Sequence, residues 1–273
     1  MFSYSPLRYP GGKAKIFEQV KNIIKSNFAE SPVYVEAFAG GSSLALKLLL
    51  KEIVSEIHIN DLDDSIYAFW YSIKNHKDEL ISKINDAELT IDEWKMQKSI
   101  YTSTEDISLL DRGFATFYLN RTNRSGVLAS GPIGGYSQTG NYKIDCRFNK
   151  TNLIALIEKI YLKIDYIHIY NEDAKTFISN IDNLYQNAFI YLDPPYVNQG
   201  PNLYLNHFND DDHKELKIAV SNLINKWLVT YDNVELIKEI YSDYRSDLFE
   251  IKYSMAIKRT ENEIAIYSDN LVL

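Results

Sequence analysis

Residues 33–61 read VYVEAFAGGSSLALKLLLKEIVSEIHIND. Val33 to Glu36 is a short apolar run suited to a buried strand. Phe38-Ala-Gly-Gly41 makes a tight turn, and Ser42-Ser43 can cap a helix running to about Lys51. Glu56 to Ile59 then reads as a second strand, ending in Asn60-Asp61. Strand, glycine turn, helix and strand make a βαβ unit. Such units build parallel sheets with right-handed crossovers.

The pattern extends in both directions. Upstream, Ser3 to Lys13 is a loop punctuated by Pro10 and paired glycines, followed by a helix burying Ile16, Phe17, Val20, Ile24 and Phe28. Downstream, Asp64 to Asn75 is a helix. The rhythm breaks between Lys77 and Lys150, where short helical patterns (78–85, 91–98, 111–119) lead into a stretch rich in Gly, Ser, Asn and Thr from Asn120 to Tyr142. After a helix at Leu153 to Ile160, alternation resumes with a strand at Tyr166 to Tyr170 and a helix at Glu172 to Ile181. Ala188 to Leu192 is five apolar or aromatic residues, as a central parallel strand requires. It runs into Asp193-Pro-Pro-Tyr196, whose prolines cannot continue a central ladder. Asn198 to Asp210 is a polar loop, followed by a helix to about Asn225, a strand at Trp227 to Tyr231 and a helix at Glu235 to Tyr241. Phe249 to Tyr253 and Glu263 to Tyr267 form a terminal antiparallel pair. The expected fold is α/β, a Rossmann-like sheet from residues 1–76 and 151–273, with residues 77–150 inserted as a separate domain.

Composition narrows the function. The 273 residues carry a net charge of -8 and one cysteine, Cys146, so an intrachain disulfide and a four-cysteine zinc site are excluded. A single thiol and no leader predict a cytoplasmic protein, and the apolar run Leu44 to Leu50 is far too short for a membrane span. The histidines (His58, His76, His168, His207, His213) lack metal-ligand spacing and read as surface or edge residues, so no metal is expected. An acidic chain is no general nucleic-acid coat. Yet Arg112 to Lys150 holds six basic residues and one acidic one, a local charge of +5 on a remainder of -13. A basic patch on an acidic body suits an enzyme that touches DNA on one face.

Three constellations carry chemistry. Glu36 to Ser42 lies between a strand and a helix, where Gly40 and Gly41 allow close approach of a ligand and the helix terminus offers free N–H groups. Asp61 ends the next strand, where an acid commonly accepts from ribose hydroxyls. The alternative is a structural turn, with Asp61 capping the following helix. Asp193-Pro194-Pro195-Tyr196 sits at the carboxyl edge of a buried strand, where open α/β sheets bind ligands. The Asp193 carboxylate and the Pro194 carbonyl can each accept one N–H of an exocyclic amine, and the Tyr196 ring can stack on a flat base. Arg121, Asn123, Arg124, Lys143, Arg147 and Lys150 are side chains of the kind that read base edges and hold phosphates.

With these motifs in this order, the chain resembles the Dam-like, or D12 class, family of DNA adenine N6-methyltransferases, nearly end to end. Arg8-Tyr-Pro-Gly-Gly-Lys13 is similar to the family's N-terminal motif, whose aromatic residue and lysine contact S-adenosylmethionine; those roles fall on Tyr9 and Lys13. Glu36 to Ser42 resembles its cofactor loop, which implicates Glu36, Phe38, Gly40 and Gly41. Asp61 matches the ribose-binding acid, Asp173 the acid near the cofactor adenine, and Asp193 to Tyr196 the catalytic tetrad, with Asp193 also facing the cofactor. Asn120 to Lys150 occupies the target-recognition position. Tyr9-Pro10 stands where some members have Trp-Ala, and Ser42 replaces a third glycine.

The resemblance implies methyl transfer from S-adenosylmethionine to N6 of an adenine flipped out of double-stranded DNA. It leaves open whether the enzyme is solitary or protects host DNA from a cognate restriction endonuclease, and whether it is a monomer or a weak dimer. The rivals are a related amino-methyltransferase acting on cytosine N4, RNA or a glutamine side chain, and a DNA-binding pseudoenzyme. An Asp-first tetrad favours adenine, and the retained Lys13, Asp61 and tetrad oppose a pseudoenzyme.

Overall fold

A computed structural model describes residues 4–8, 13–197, 208–254 and 258–273. Two compact units emerge among the described residues, one comprising Lys13–Asp63 with Tyr166–Leu273, the other Asp64–Asp165 with residues 4–8. The second unit is wider than the 77–150 insert read from the sequence. It takes in the helix Asp64–Asn75 and reaches Asp165.

The first unit is a seven-stranded sheet. Its strands are β1 (Val33–Glu36), β2 (Glu56–Asn60), β3 (Ile167–Tyr170), β4 (Ala188–Leu192), β5 (Lys226–Asp232), β6 (Arg245–Ser254) and β7 (Lys258–Tyr267), in the order β3-β2-β1-β4-β5-β7-β6. The first five are parallel, while β7 runs antiparallel between β5 and β6. The Rossmann-like α/β sheet expected from the sequence is the one that forms. The terminal pair is longer than expected, and β7 inserts beside β5. β1 and β4 are buried throughout, and each large apolar side chain removed from water stabilises by about 1.5–3 kcal/mol. The helices α1 (Phe17–Asn27), α2 (Ser43–Leu50), α8 (Ala174–Leu184), α9 (Asp210–Ser221) and α10 (Glu235–Ile240) belong to this unit. Strand order reverses between β1 and β4, the topological switch point at whose carboxyl edge such sheets bind ligands.

Two local expectations are corrected here. Ser42 does not cap α2 with its side chain: its backbone is left-handed (φ 44°), and its hydroxyl donates to Ala39 O at 3.3 Å. α9 ends at Ser221 and not near Asn225, because Asn225 turns inward and its side-chain amide donates to Asp182 Oδ1 at 2.8 Å.

The second unit is helical: α3 (Asp64–Asn75), α4 (Lys77–Asp86), α5 (Ile91–Thr102), α6 (Leu109–Thr122) and α7 (Lys150–Tyr161). Its core stacks Phe69 on Phe117 at 5.6 Å, with Phe148 edge-on to Phe117 at 5.4 Å. α3 and α6 touch at Gly113, where an added Cβ would lie 2.5 Å from Ala68 O. α6 continues through Asn120, Arg121 and Thr122, which the sequence reading placed beyond the helical pattern ending at 119, in the stretch rich in Gly, Ser, Asn and Thr. Burial decides this: Asn120 and Thr122 are almost fully enclosed, and helical geometry satisfies their backbone there. No helix among the described residues is long and apolar enough to cross a membrane.

Candidate active site

The site is built at the switch point. β1 ends at Glu36, and the chain turns through Ala37 to Ser42. The turn is pinned from below. Ala39 N–H donates to Asn60 O at 2.8 Å, and Gly40 N–H donates to Asp61 Oδ2 at 2.7 Å. Gly40 has φ 45°, a conformation that glycine adopts without strain. Asp61 Oδ1 also accepts from Asp63 N–H at 3.0 Å. Burial pushes the Asp61 carboxyl up to about 7, against those two backbone donors. Asp61 is thus both a clasp on the glycine turn and a carboxyl poised to ionise.

Asn60 was missed by sequence reasoning. Its buried amide donates to Ala37 O (3.1 Å) and Glu172 O (3.0 Å), and its carbonyl oxygen accepts from Glu172 N–H (2.9 Å). One side chain therefore ties together the loops after β1, β2 and β3. Only its place before Asp61 could have signalled it. After β3, exposed Asp173 caps α8, its Oδ1 accepting from Lys175 N–H (3.1 Å) and Thr176 N–H (3.3 Å). Phe38 packs edge-on against Phe208 at 5.8 Å.

Glu36 is buried at 4% exposure, and its Oε2 has no hydrogen-bond partner. Burial first, and then the Asp193 charge, hold its carboxyl well above the usual range. A buried acceptor without a donor suits a ligand bearing an amine or another cation.

The tetrad follows β4, with Pro194 and Pro195 buried. Asp193 Oδ1 accepts from Thr230 Oγ1 at 3.0 Å and lies 3.0 Å from Lys13 Nζ. Thr230 also bonds the Tyr191 hydroxyl at 2.8 Å. Lys13, only 5% exposed, reaches Glu263 Oε2 at 3.1 Å and donates to the Tyr196 hydroxyl at 2.5 Å. Lys13 is therefore enclosed by the tetrad and by a carboxylate from β7. Thr230 and Glu263 had not been singled out, since nothing in the sequence pairs β7 with β5.

The predicted DNA-contacting residues all lie in the helical unit. Arg124, Lys143 and Arg147 are exposed. Lys150 Nζ donates to Asn85 O at 2.7 Å. Arg121 is largely enclosed with its Nε unpartnered, and burial, reinforced by the charges of Arg8 and Arg147, lowers its guanidinium to about 9. Arg8, not singled out from the sequence, joins this cluster through its backbone: its N–H donates to Asn120 Oδ1 (2.7 Å), and Asn120 Nδ2 donates back to Arg8 O (2.8 Å). Asn123 is corrected. It is fully buried, its Oδ1 accepting from Trp94 Nε1 (2.7 Å) and its amide donating to Val127 O and Leu128 O (both 3.0 Å). Its hydrogen-bonding capacity is spent inside the protein.

Two histidines are also corrected: His58 and His213 are each 1% exposed. Glu56, His58 and His168 have ligand atoms within 4.8 Å of one another. However, the two imidazoles stack (4.4 Å, 20°), and each faces its own Glu56 oxygen, at 3.4 and 3.2 Å. Each imidazole is thus engaged by its own carboxylate oxygen, and the trio forms a carboxylate–imidazole clasp. Tyr9 and His207 lie outside the described residues.

A family model matches residues 9–257: D12 class N6 adenine-specific DNA methyltransferase. The chain belongs to this family. As a D12 member it is a methyltransferase acting on DNA, with S-adenosylmethionine as methyl donor. Among curated relatives it is 24% identical to Type II methyltransferase M.MjaIII of Methanocaldococcus jannaschii, over 96% of each chain. It is 22% identical to Type II methyltransferase M.CviBI of Paramecium bursaria Chlorella virus NC1A, over 90% of each. Among solved structures, the rRNA methyltransferase aviRa from Streptomyces viridochromogenes aligns with TM-score 0.44 and 8% identity, over 95% of this chain and 85% of that one.

Proposed function

We propose that this D12 enzyme methylates N6 of a specific adenine in double-stranded DNA, with the adenine flipped out of the helix. The observation that carries the reading is Asp193, the acceptor that opens the tetrad at the end of β4, near the buried Glu36 carboxyl, whose Oε2 lacks a hydrogen-bond partner, across the switch point. S-adenosylmethionine, when bound, supplies a methyl group on a sulfonium. The residues fit that group. Glu36 Oε2 calls for a cationic or donor partner, Asp61 for hydroxyls, and Gly40 and Gly41 for close backbone approach, with Phe38, Lys13, Tyr9 and Asp173 as the remaining cofactor-side assignments. Asp193 and the Pro194 carbonyl accept the two N–H bonds of the adenine amine. This raises electron density on a conjugated and weakly nucleophilic nitrogen and stabilises the positive charge that grows on it. Tyr196 stacks on the base, Pro195 stiffens the turn, and the nitrogen is held in line for attack. The proton leaves to water once methylation makes it acidic.

Arg8, Arg121 and Arg147, together with Arg124, Lys143 and Lys150, form the DNA-facing set of the helical unit. Arginines gathered without acids suit phosphates and guanine edges. A cognate restriction endonuclease remains an indirect partner to be sought, and the solution state a monomer or weak dimer. The test is single-molecule modification sequencing of genomic DNA from a methylation-free host expressing the protein. A motif-specific N6-methyladenine signal, lost in Asp193→Ala, is the expected result. N4-methylcytosine, or no mark from folded protein that binds S-adenosylmethionine, would overturn it.

A further inference from the structure

We propose that Glu263 is a positioning residue for methyl transfer, restoring to Asp193 the negative charge that Lys13 alone would cancel. This deepens the adenine-methyltransferase reading and rests on it. The geometry sets a puzzle. An acceptor for a developing cation should not sit beside an ammonium, yet Lys13 Nζ lies 3.0 Å from Asp193 Oδ1. The answer is on β7, where the Glu263 carboxylate, 1% exposed, lies 3.1 Å from the same nitrogen. One cation between two carboxylates leaves Lys13, Asp193 and Glu263 together a net charge of -1, suited to a sulfonium and an amine turning positive.

Each member is needed for a separate reason. Without Lys13, two buried carboxylates face one another and one takes up a proton. Without Glu263, Lys13 and Asp193 form a neutral pair, and Asp193 becomes a weaker acceptor. Lys13 and Thr230 both engage Oδ1, which leaves Oδ2 to the substrate amine. The perturbations agree. Burial opposes the Lys13 charge, but Asp193 and Glu263 outweigh it and hold the ammonium above its usual range. Burial raises Asp193, Lys13 lowers it, and Glu263 raises it further. Among the described residues, the other titratable groups that feel the Asp193 charge are Glu36 and Tyr34 on β1, Tyr191 on β4 and Tyr231 on β5. All four are held above their ordinary values chiefly by burial and so favour their neutral forms.

The experiment measures kcat and KM on target DNA from about pH 5.5 to 9.5, with S-adenosylmethionine affinity alongside, for wild type, Glu263→Gln, Lys13→Met and the double variant. Glu263→Gln should lower the kcat plateau roughly tenfold, with cofactor affinity within about threefold, and move the acid limb down. Lys13→Met should move the acid limb up by about one pH unit or more. The double variant removes the second carboxylate, so Asp193 no longer shares a proton with it; activity should recover roughly tenfold over Lys13→Met, and the acid limb should move back down toward the wild-type position. A double variant no more active than the weaker single overturns the proposal, because packing damage accumulates and is not rescued. Carboxyl 13C titration of Asp193 without DNA provides an arm independent of turnover. If the wild type methylates no DNA, the parent reading fails. A midpoint raised by Lys13→Met and lowered by Glu263→Gln would still support the charge assignment, and an unmoved midpoint would overturn it.

Discussion

The two units handle buried charge in opposite ways. At the switch point of the sheet, Lys13 is met by Asp193 and Glu263, and Asp193 by Thr230 as well. In the helical unit, the charge of Arg147 bears on Arg8, those of Arg8 and Arg147 bear on Arg121, and none of the three has a salt bridge among the described residues. The first arrangement is complete before any ligand arrives, as a pocket that must stabilise a brief charge requires. The second is incomplete by construction and gains its counter-charges from a polyanion. Preorganisation marks the chemistry, and electrostatic need marks the recognition.

Three outcomes would sharpen or break that contrast. The largest effect should follow Asp193→Ala, with transfer down by roughly 10³-fold and S-adenosylmethionine affinity within about threefold. Equal loss of both in folded protein would mean that Asp193 holds the cofactor and does not serve the amine. Next, Arg121→Met should weaken DNA binding by roughly tenfold and make the log–log salt slope shallower by about 1. The same change should raise the free protein's Tm, since it removes an enclosed charge with an unpartnered Nε. A lower Tm would reveal a counter-charge and dissolve the contrast. The smallest effect concerns Asp61, held at about 7 by burial. Its folded pKa lies above the unfolded value of about 3.9, so the folded state binds more protons between those values. Wild-type stability should therefore fall as pH rises from about 4 to 7 and then level off. Asp61→Asn should make that window shallower in thermal melts, leaving the part due to Glu36 and Asp193, and weaken cofactor affinity severalfold. A slope unchanged from wild type would take the Asp61 proton out of the account.

The sheet was legible because burial leaves plain marks in sequence: apolar runs such as Ala188–Leu192, a glycine turn, and acids closing successive strands. The tetrad was legible because two prolines at a strand end are rare and informative. What escaped depends on long-range pairing. Glu263 and Thr230 acquire meaning only once β7 lies beside β5, a register that no local pattern encodes. Asn123 misled because the same amide suits a base edge and a buried turn equally well, and only its enclosure against Trp94 decides between them. Arg121 looked like a loop residue because asparagine and threonine flank it, yet α6 carries it to the end of a buried helix.

The cluster around Asp193 has a consequence for the order in which the protein matures. Its members stand at positions 13, 193 and 263, and the Lys13–Glu263 contact spans 250 residues. Contacts of that separation form late, after the entropy of closing so long a loop has been overcome. A chain emerging from the ribosome can assemble the parallel strands and the tetrad before β7 exists, but Lys13 then has one carboxylate in place of two. Competence for methyl transfer should thus appear as a discrete event when β7 docks and the pocket changes from neutral to negative.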